Sequence, residues 1–260
     1  MIGQEKLVNK LQSYNLKTLP HTLLFLGDKG CGKHLLCDEL SKYFNIKLFD
    51  ITDNINLDII ENIYLNAFPA FYIIDMTKVN EKQQNMLLKL IEEPSEYIYI
   101  ILLSENKLSL LNTIINRCMI FEFENYKIDD LKQFTSECDD RLFQLCNTPG
   151  QIKLMSINKL DELYKLCANM LDKINVASLP NTLTIADKLN YKEDYDKFNV
   201  NLFLKALSFT TLQYFKENKV SIQIYNIINS CIKKLRDSRF DKNKLIQSML
   251  IDLWKGVRNG

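Results

Sequence analysis

Three glycines and a lysine offer the first chemistry. The run FLGDKGCGKHLL, Phe25 to Leu36, spaces Gly27, Gly32 and Lys33 as a phosphate-binding loop does, with Gly30 between them. Glycine lets a backbone turn through positive φ and approach a ligand closely, so the amides of such a loop can ring a phosphate while the lysine meets its charge. The chain has seven glycines in all, and three of them fall within six positions. His34 stands where a hydrolysing loop has a serine or threonine hydroxyl for magnesium. Asp75, closing AFYIID, and Ser104, closing YIYIILLS, are polar ends of apolar runs, and a cation, Arg117, lies in NRC. Cys31, His34 and Cys37 recur at intervals of three and could share a helix face, but three ligands without a fourth make a poor tetrahedral metal site.

The surrounding elements give the loop its context. TLLFL, Thr22 to Leu26, reads as a short buried strand, and 33–44 as a helix with Leu36, Leu40, Tyr43 and Phe44 on one side. A plain strand-to-helix turn is the simpler reading; strand, glycine loop, lysine and helix in succession favour a phosphate loop. Apolar or β-branched runs recur at 47–51, 70–75, 97–104 and 118–123, with helical patterns at 56–66, 81–92 and 108–115. That alternation predicts an α/β domain, a parallel sheet with helices on both faces. Ligands of such sheets sit at the carboxyl ends of the strands, where Gly27 to Lys33, Asp75 and Ser104 all fall. After Phe123 the strand signals stop. Residues 127–173 read as four short helices with a turn at NTPG, 177–187 as a linker, and 202–215, 222–235 and 241–253 as helices; the last has Leu245, Ile246, Met249, Leu250, Leu253 and Trp254 on one stripe.

Composition is that of ordinary globular material, 47% apolar and 25% charged over 260 residues, with a formal net charge of +1. A dedicated polycation for coating nucleic acid is excluded, and no apolar run approaches the roughly 20 residues of a membrane span. No charged-then-apolar signal pattern opens the chain, so the expected location is cytoplasmic, without membrane contact. The seven cysteines include no C-x-x-C pair, which points to reduced, mostly buried thiols rather than a disulfide scaffold or zinc ribbon.

Longer motifs carry a family resemblance. IGQEKLVNKL (2–11), PHTLLFLGDKGCGK (20–33), YIIDMTKVNEKQQNMLLKLIEEPSEYIYIILLSEN (72–106), LLNTIINRC (110–118) and TPGQI (148–152) follow one another in this order. The chain resembles the sliding-clamp loader subunits of bacterial DNA polymerase III, an AAA+ assembly, and most closely the delta-prime type. The likeness is strong over about 1–155. Over 186–260 it is carried by CIKKLRDSRFDKNKLIQSMLIDLW, which looks like the last helices of the family's collar. The resemblance implies three domains: an AAA+ P-loop α/β domain (1–125), a helical lid (126–177) and an all-helical collar for oligomerisation (186–260). It also implies other clamp-loader subunits as partners, an ATPase motor and a delta-type chain, together with the sliding clamp and primer-template DNA reached through the assembly.

Departures from the family pattern bear on activity. Where motor subunits have a magnesium-binding hydroxyl, a Walker-B Asp-Glu pair and a lid arginine, this chain has His34, Asp75 followed by Met76, and Gln151. Imidazole is a poor ligand for magnesium, and methionine can neither orient water nor accept a proton. The expectation is a chain without intrinsic ATPase activity. Gly27, Gly30, Gly32, Lys33, His34, Asp75 and Ser104 remain as cofactor-binding candidates for weak ATP or ADP binding, beside the reading of a relict loop; no metal is implied. The family's four-cysteine zinc module has no counterpart, since no cysteine lies between Phe44 and Asp75.

Arg117 occupies the place of the family's Ser-Arg-Cys arginine, which the resemblance implies reaches a neighbouring subunit's ATP as a finger in trans; the plainer reading is an arginine leading into a strand. The competing function is an active ATPase, either a motor subunit of a simplified loader or another AAA+ remodeller. Lys78, Lys82 and the run Lys233, Lys234, Arg236, Arg239, Lys242 and Lys244 are cations that suit DNA phosphates or, more plainly, solvated helix and collar surfaces.

Overall fold

The structure, a computed structural model, describes residues 1–136, 139–155, 157–173, 178–184, 189–190, 198–235 and 241–258. Contacts divide it into two compact units, Met1–Ser136 with Asn147–Lys153, and Glu137–Cys146 with Leu154–Gly260. This division cuts the chain at places other than the three-domain expectation, and the helices 140–145 and 157–173 group with those of the C-terminal part.

The first unit is built on five parallel strands, β1 (Thr22–Leu26), β2 (Lys47–Asp50), β3 (Ala70–Asp75), β4 (Ile98–Ser104) and β5 (Met119–Glu122), in the order β2-β3-β4-β1-β5. Helices α1 (Glu5–Gln12), α2 (Lys33–Phe44), α3 (Leu57–Tyr64), α4 (Glu81–Glu92) and α5 (Asn112–Ile115) cover it. Strand residues alternate between two cores, as a period of two requires. Leu24, Tyr72, Ile74, Ile98, Ile100 and Leu102 pack with α3, α4 and α5 on one face. On the other, Leu23, Phe25, Phe71, Ile73, Ile101 and Leu103 meet Leu7 and Leu11 of α1 and Leu36, Cys37 and Leu40 of α2. β4, buried at all seven residues, is the fully enclosed strand that its unbroken apolar run predicts.

Gln4 ties the start of this unit to its end. It is 2% exposed, donates from Nε2 to Glu124 O at 2.8 Å and accepts from Glu124 N at Oε1 at 3.0 Å. A short helix, α6 (Ile128–Lys132), follows.

The second unit contains α7 (Asp140–Leu145), α9 (Ile157–Lys173), α10 (Leu179–Leu183), α11 (Val200–Lys216), α12 (Ile222–Leu235) and α13 (Lys242–Arg258); α8 (Pro149–Leu154) begins in the first unit. α11 packs against α7, α9 and α12, and α13 against α12 and α10. Arg141 on α7 donates to Asp139 and, at 2.8 Å, to Asp161 on α9, beneath which its guanidinium also stacks over Tyr164.

Several expectations are corrected. The pattern at 108–115 is not one helix but a 3-10 turn, Lys107–Ser109, and the four-residue α5, because Asn106 caps the first and Leu110–Leu111 run extended before the second. α9 is 17 residues long, not short. NTPG is a helix start rather than a turn, with Pro149 at the opening of α8, where a missing N–H costs nothing. Two strand residues, β6 (Leu189–Asn190), pair in parallel with β7 (Phe198–Asn199), beyond the expected end of strand structure. Tyr43 is half exposed and bonds Gln12 O at 2.9 Å, while Cys37 takes the buried place on α2. Arg236, Arg239 and Cys138 lie outside the described residues, as do 177 and 185–187 of the expected linker, whose described part is not a plain linker but holds the helix α10 (Leu179–Leu183).

Candidate functional site

The glycine loop joins β1 to α2 as expected. Gly27 N donates to Ser104 O at 3.1 Å, so the neighbouring strand β4 fixes where the loop leaves the sheet. Gly30 and Gly32 have φ of +82° and +101°, backbone that only glycine adopts without strain. The loop's carbonyls then close one after another on the chain itself. Lys33 Nζ donates to Gly27 O at 2.5 Å and to Asp28 O at 3.2 Å. Thr148 Oγ1 donates to Lys29 O at 2.9 Å, Gly150 N to Gly30 O at 3.0 Å, and Tyr126 OH to Cys31 O at 2.7 Å. A Cβ on Gly30 would lie 2.9 Å from Gly150 Cα, and one on Gly32 would lie 2.2 Å from Met1 Cε. Gly30 is therefore needed for close approach as well as for conformation, whereas the flexible Met1 side chain can yield and Gly32 is needed for its conformation.

Charge at the loop follows burial. The Cys31 thiol is pushed up by desolvation, although Lys33 beside it pulls the other way. The Tyr126 phenol is pushed up to about 12, first by burial and then by Cys31. The cavity here, lined by Gly27, Asp28, Cys31, Tyr126 and Thr148 among others, holds about 80 Å³. Ligand pockets hold roughly 300–1,000 Å³, more than this open cavity offers by itself. The start of α2 nonetheless has no side-chain cap, which leaves the positive end of a 12-residue helix at the loop. A larger cavity, about 330 Å³, lies in the second unit and is lined by none of the candidate residues.

The remaining candidates share the carboxyl edge of the sheet but are turned to local tasks. Asp75 Oδ1 accepts from Thr77 N and Oγ1 at 3.0 and 2.7 Å, and Asp75 N donates to Thr52 Oγ1. Met76 is 2% exposed in the core beside Leu87 and Ile74. Ser104 is fully buried, its Oγ donating to Asn106 O at 2.8 Å. Gln151 Oε1 accepts from Asn147 N at 2.8 Å, which turns it back on its own segment. His34 is exposed whereas Cys31 and Cys37 are buried, so the three do not share a face.

Arg117 sits between α5 and β5. The turn NRC closes on α5, Arg117 N donating to Ile114 O and Cys118 Sγ to the same carbonyl at 3.1 Å. Arg117 Nη1 donates to Thr113 O at 2.9 Å, and Nη2 forms an ion pair with Glu92 Oε1, also at 2.9 Å. Two residues that the sequence reading passed over set this position. Gln84, buried on α4, donates to Ser109 O and accepts from Leu111 N, both at 3.0 Å, and so pins the approach to α5. Glu92 ends the same helix. A polar residue on the Leu87–Leu90 stripe was the available signal for Gln84; Glu92, in a charged helix end, had none.

Comparison with known proteins starts from the fold. Over 95% of this chain and 82% of the other, the structure superposes with a TM-score of 0.50 on a single-site variant of RuvB from Thermotoga maritima, at 17% identity. The fold is AAA+. Residues 45–127 match the family described as DNA polymerase III, delta subunit. The chain is also 27% identical over 193 residues, 60% of its length, to the DNA polymerase III subunit gamma of Buchnera aphidicola subsp. Baizongia pistaciae, and spans about half (51%) of that relative. Together the two sequence matches support kinship with the clamp-loader subunits of DNA polymerase III and do not separate a delta-prime from a gamma type. Among the described residues no helix is long and apolar enough to cross a membrane.

Proposed function

We propose that this chain is a non-catalytic, delta-prime-type subunit of a DNA polymerase sliding-clamp loader. In this reading it joins ATPase and delta-type subunits through 186–260, carries its loop and lid in 1–125 and 126–177, and offers Arg117 to a neighbour's ATP. Its work is the placement of a sliding clamp on primed DNA during replication. The observation that carries the reading is Met76: the position after Asp75, where hydrolysis needs a water-activating carboxylate, is an apolar side chain 2% exposed in the core. Support comes from His34, which lacks the magnesium-binding hydroxyl, and from Lys33, whose ammonium is taken by Gly27 O and Asp28 O. Removal of one preorganised catalytic group costs about 2–4 kcal/mol of transition-state stabilisation, so two such losses leave little turnover. ATP or ADP binds weakly in this reading, through the amide end of α2.

A second reading, an active motor subunit, is favoured by the similarity to a gamma subunit. Hydrolysis by the purified chain decides between them. The proposal expects no release of phosphate above background at millimolar ATP with primed DNA; turnover near 1 s⁻¹ that disappears in Lys33→Ala rejects it.

A further inference from the structure

Arg117 is anchored at both ends of its guanidinium by its own chain. Thr113 O takes an Nη1 hydrogen at 2.9 Å, and Nη2 is ion-paired with Glu92 Oε1, also at 2.9 Å. A guanidinium has five N–H donors, so most of them remain beside this one hydrogen bond and the ion pair. The side chains of Arg117 and Glu92 are 40% and 42% exposed, within reach of a neighbour. A half-exposed ion pair contributes little to folding stability, which leaves its effect on the arginine's freedom as the consequence that matters. An unheld arginine explores many rotamers and loses that freedom when it meets a phosphate; one held on its own subunit has lost it beforehand.

The helix that supplies Glu92 also controls the other side of the arginine. Gln84, two turns earlier on α4, grips Ser109 and Leu111, which lead into α5 and hence into Arg117. Lys89 on the same helix does not compete for Glu92, its ammonium lying 5.9 Å over the Tyr64 ring. One rigid element therefore sets both the backbone and the side chain of Arg117.

We propose that Glu92 is a positioning residue for Arg117, fixing the guanidinium at the surface with its remaining donors free for a neighbouring subunit's triphosphate. This rests on the reading of Arg117 as a finger in trans. Glu92 touches no substrate and acts through the arginine alone.

A double-mutant cycle in the complex formed with the co-purifying ATPase subunits, with ATP as substrate, tests it. Glu92→Ala should lower kcat about tenfold with KM unchanged, less than the about hundredfold that a 1 Å misplacement can cost. Glu92→Gln, which keeps an acceptor oxygen at the same reach, should recover part of that loss, and the shorter Glu92→Asp should not. In an Arg117→Ala background, Glu92→Ala should have no further effect. Equal losses in both backgrounds, or no loss in either while Arg117→Ala is impaired, overturn the positioning role and leave the finger standing. A fully active Arg117→Ala complex overturns both. In the free full-length chain, Glu92→Ala should speed rotation about the Arg117 Nε–Cζ bond, read by side-chain ¹⁵N NMR, without lowering Tm. Unchanged rotation also overturns the proposal.

Discussion

Replacing Gly30 with alanine would meet two costs that the structure separates. The residue holds φ at +82°, and an L side chain in the left-handed region costs about 1–2 kcal/mol. The added methyl would also stand 2.9 Å from both Gly150 Cα and Thr148 Oγ1, a backbone atom and a bonded hydroxyl that cannot swing away. Overpacking of that kind costs about 1–3 kcal/mol. The sum is about 3 kcal/mol, or roughly 6–12 °C in Tm for a unit of this size. Gly150→Ala isolates the steric part: its Cβ would lie 2.6 Å from Gly30 Cα, with no left-handed strain to add. Because the two substitutions disturb one contact, the double variant should lose less than the sum of the singles. Gly256→Ala, within α13, is the control, since its methyl meets Ile227 Cδ1 of α12 at 3.4 Å, an ordinary contact, and should stabilise the helix by up to about 1 kcal/mol. Urea unfolding followed by circular dichroism reads all four. A Gly30→Ala variant within about 0.5 kcal/mol of wild type, the usual range for surface changes, would refute the closed loop on which the site's description depends.

Other outcomes follow from the same geometry. Met76→Glu should not create a hydrolase. It should destabilise the chain by about 3 kcal/mol at neutral pH, as an unpaired buried charge does, and because burial raises that carboxyl's folded pKa, the stability should return as pH falls, measurable in urea at several pH values. Tyr126, raised to about 12, contributes stability that is present below the unfolded pKa near 10 and lost as pH rises through 12; Tyr126→Phe should flatten alkaline unfolding across that window. A fragment ending at 177 should expose Leu160, Leu163, Cys167 and Met170 of α9, all buried in the second unit, and bind a hydrophobic dye that the full chain does not.

The sheet was readable because its strands are short apolar runs with clear ends. The ends of β1, β3 and α2 fall where Thr22–Leu26, Ala70–Asp75 and Lys33–Phe44 placed them. Elements misjudged are those where local pattern and packing part company. Tyr43 has the right spacing for the α2 core, yet its hydroxyl is drawn out to Gln12 O and the small Cys37 packs instead. At the loop, spacing identified the residues but not their state. Whether Lys33 reaches a phosphate or its own Gly27 carbonyl depends on what fills the space, and Thr148, Gly150 and Tyr126 arrive there from more than 90 positions away. No periodicity announces such meetings. Gln84 shows the converse, a polar residue on an apolar stripe that could have been recognised as a buried amide in need of two partners.

The pairing of Gln4 with Glu124 bears on the order in which the molecule is made. Both amide functions of a buried side chain near the start of the chain are satisfied by backbone 120 residues later. A ribosome delivers the glutamine first and its partner long afterwards, so during synthesis the segment that holds it has nothing to close upon. β1 waits likewise for β4 and β5, which flank it in the sheet. The early chain is thus committed to contacts of large sequence separation, which form slowly and leave apolar edges uncovered meanwhile. The amino-terminal segment can lock only after β5 is in place, and the glycine loop closes later still, once Thr148 and Gly150 have followed.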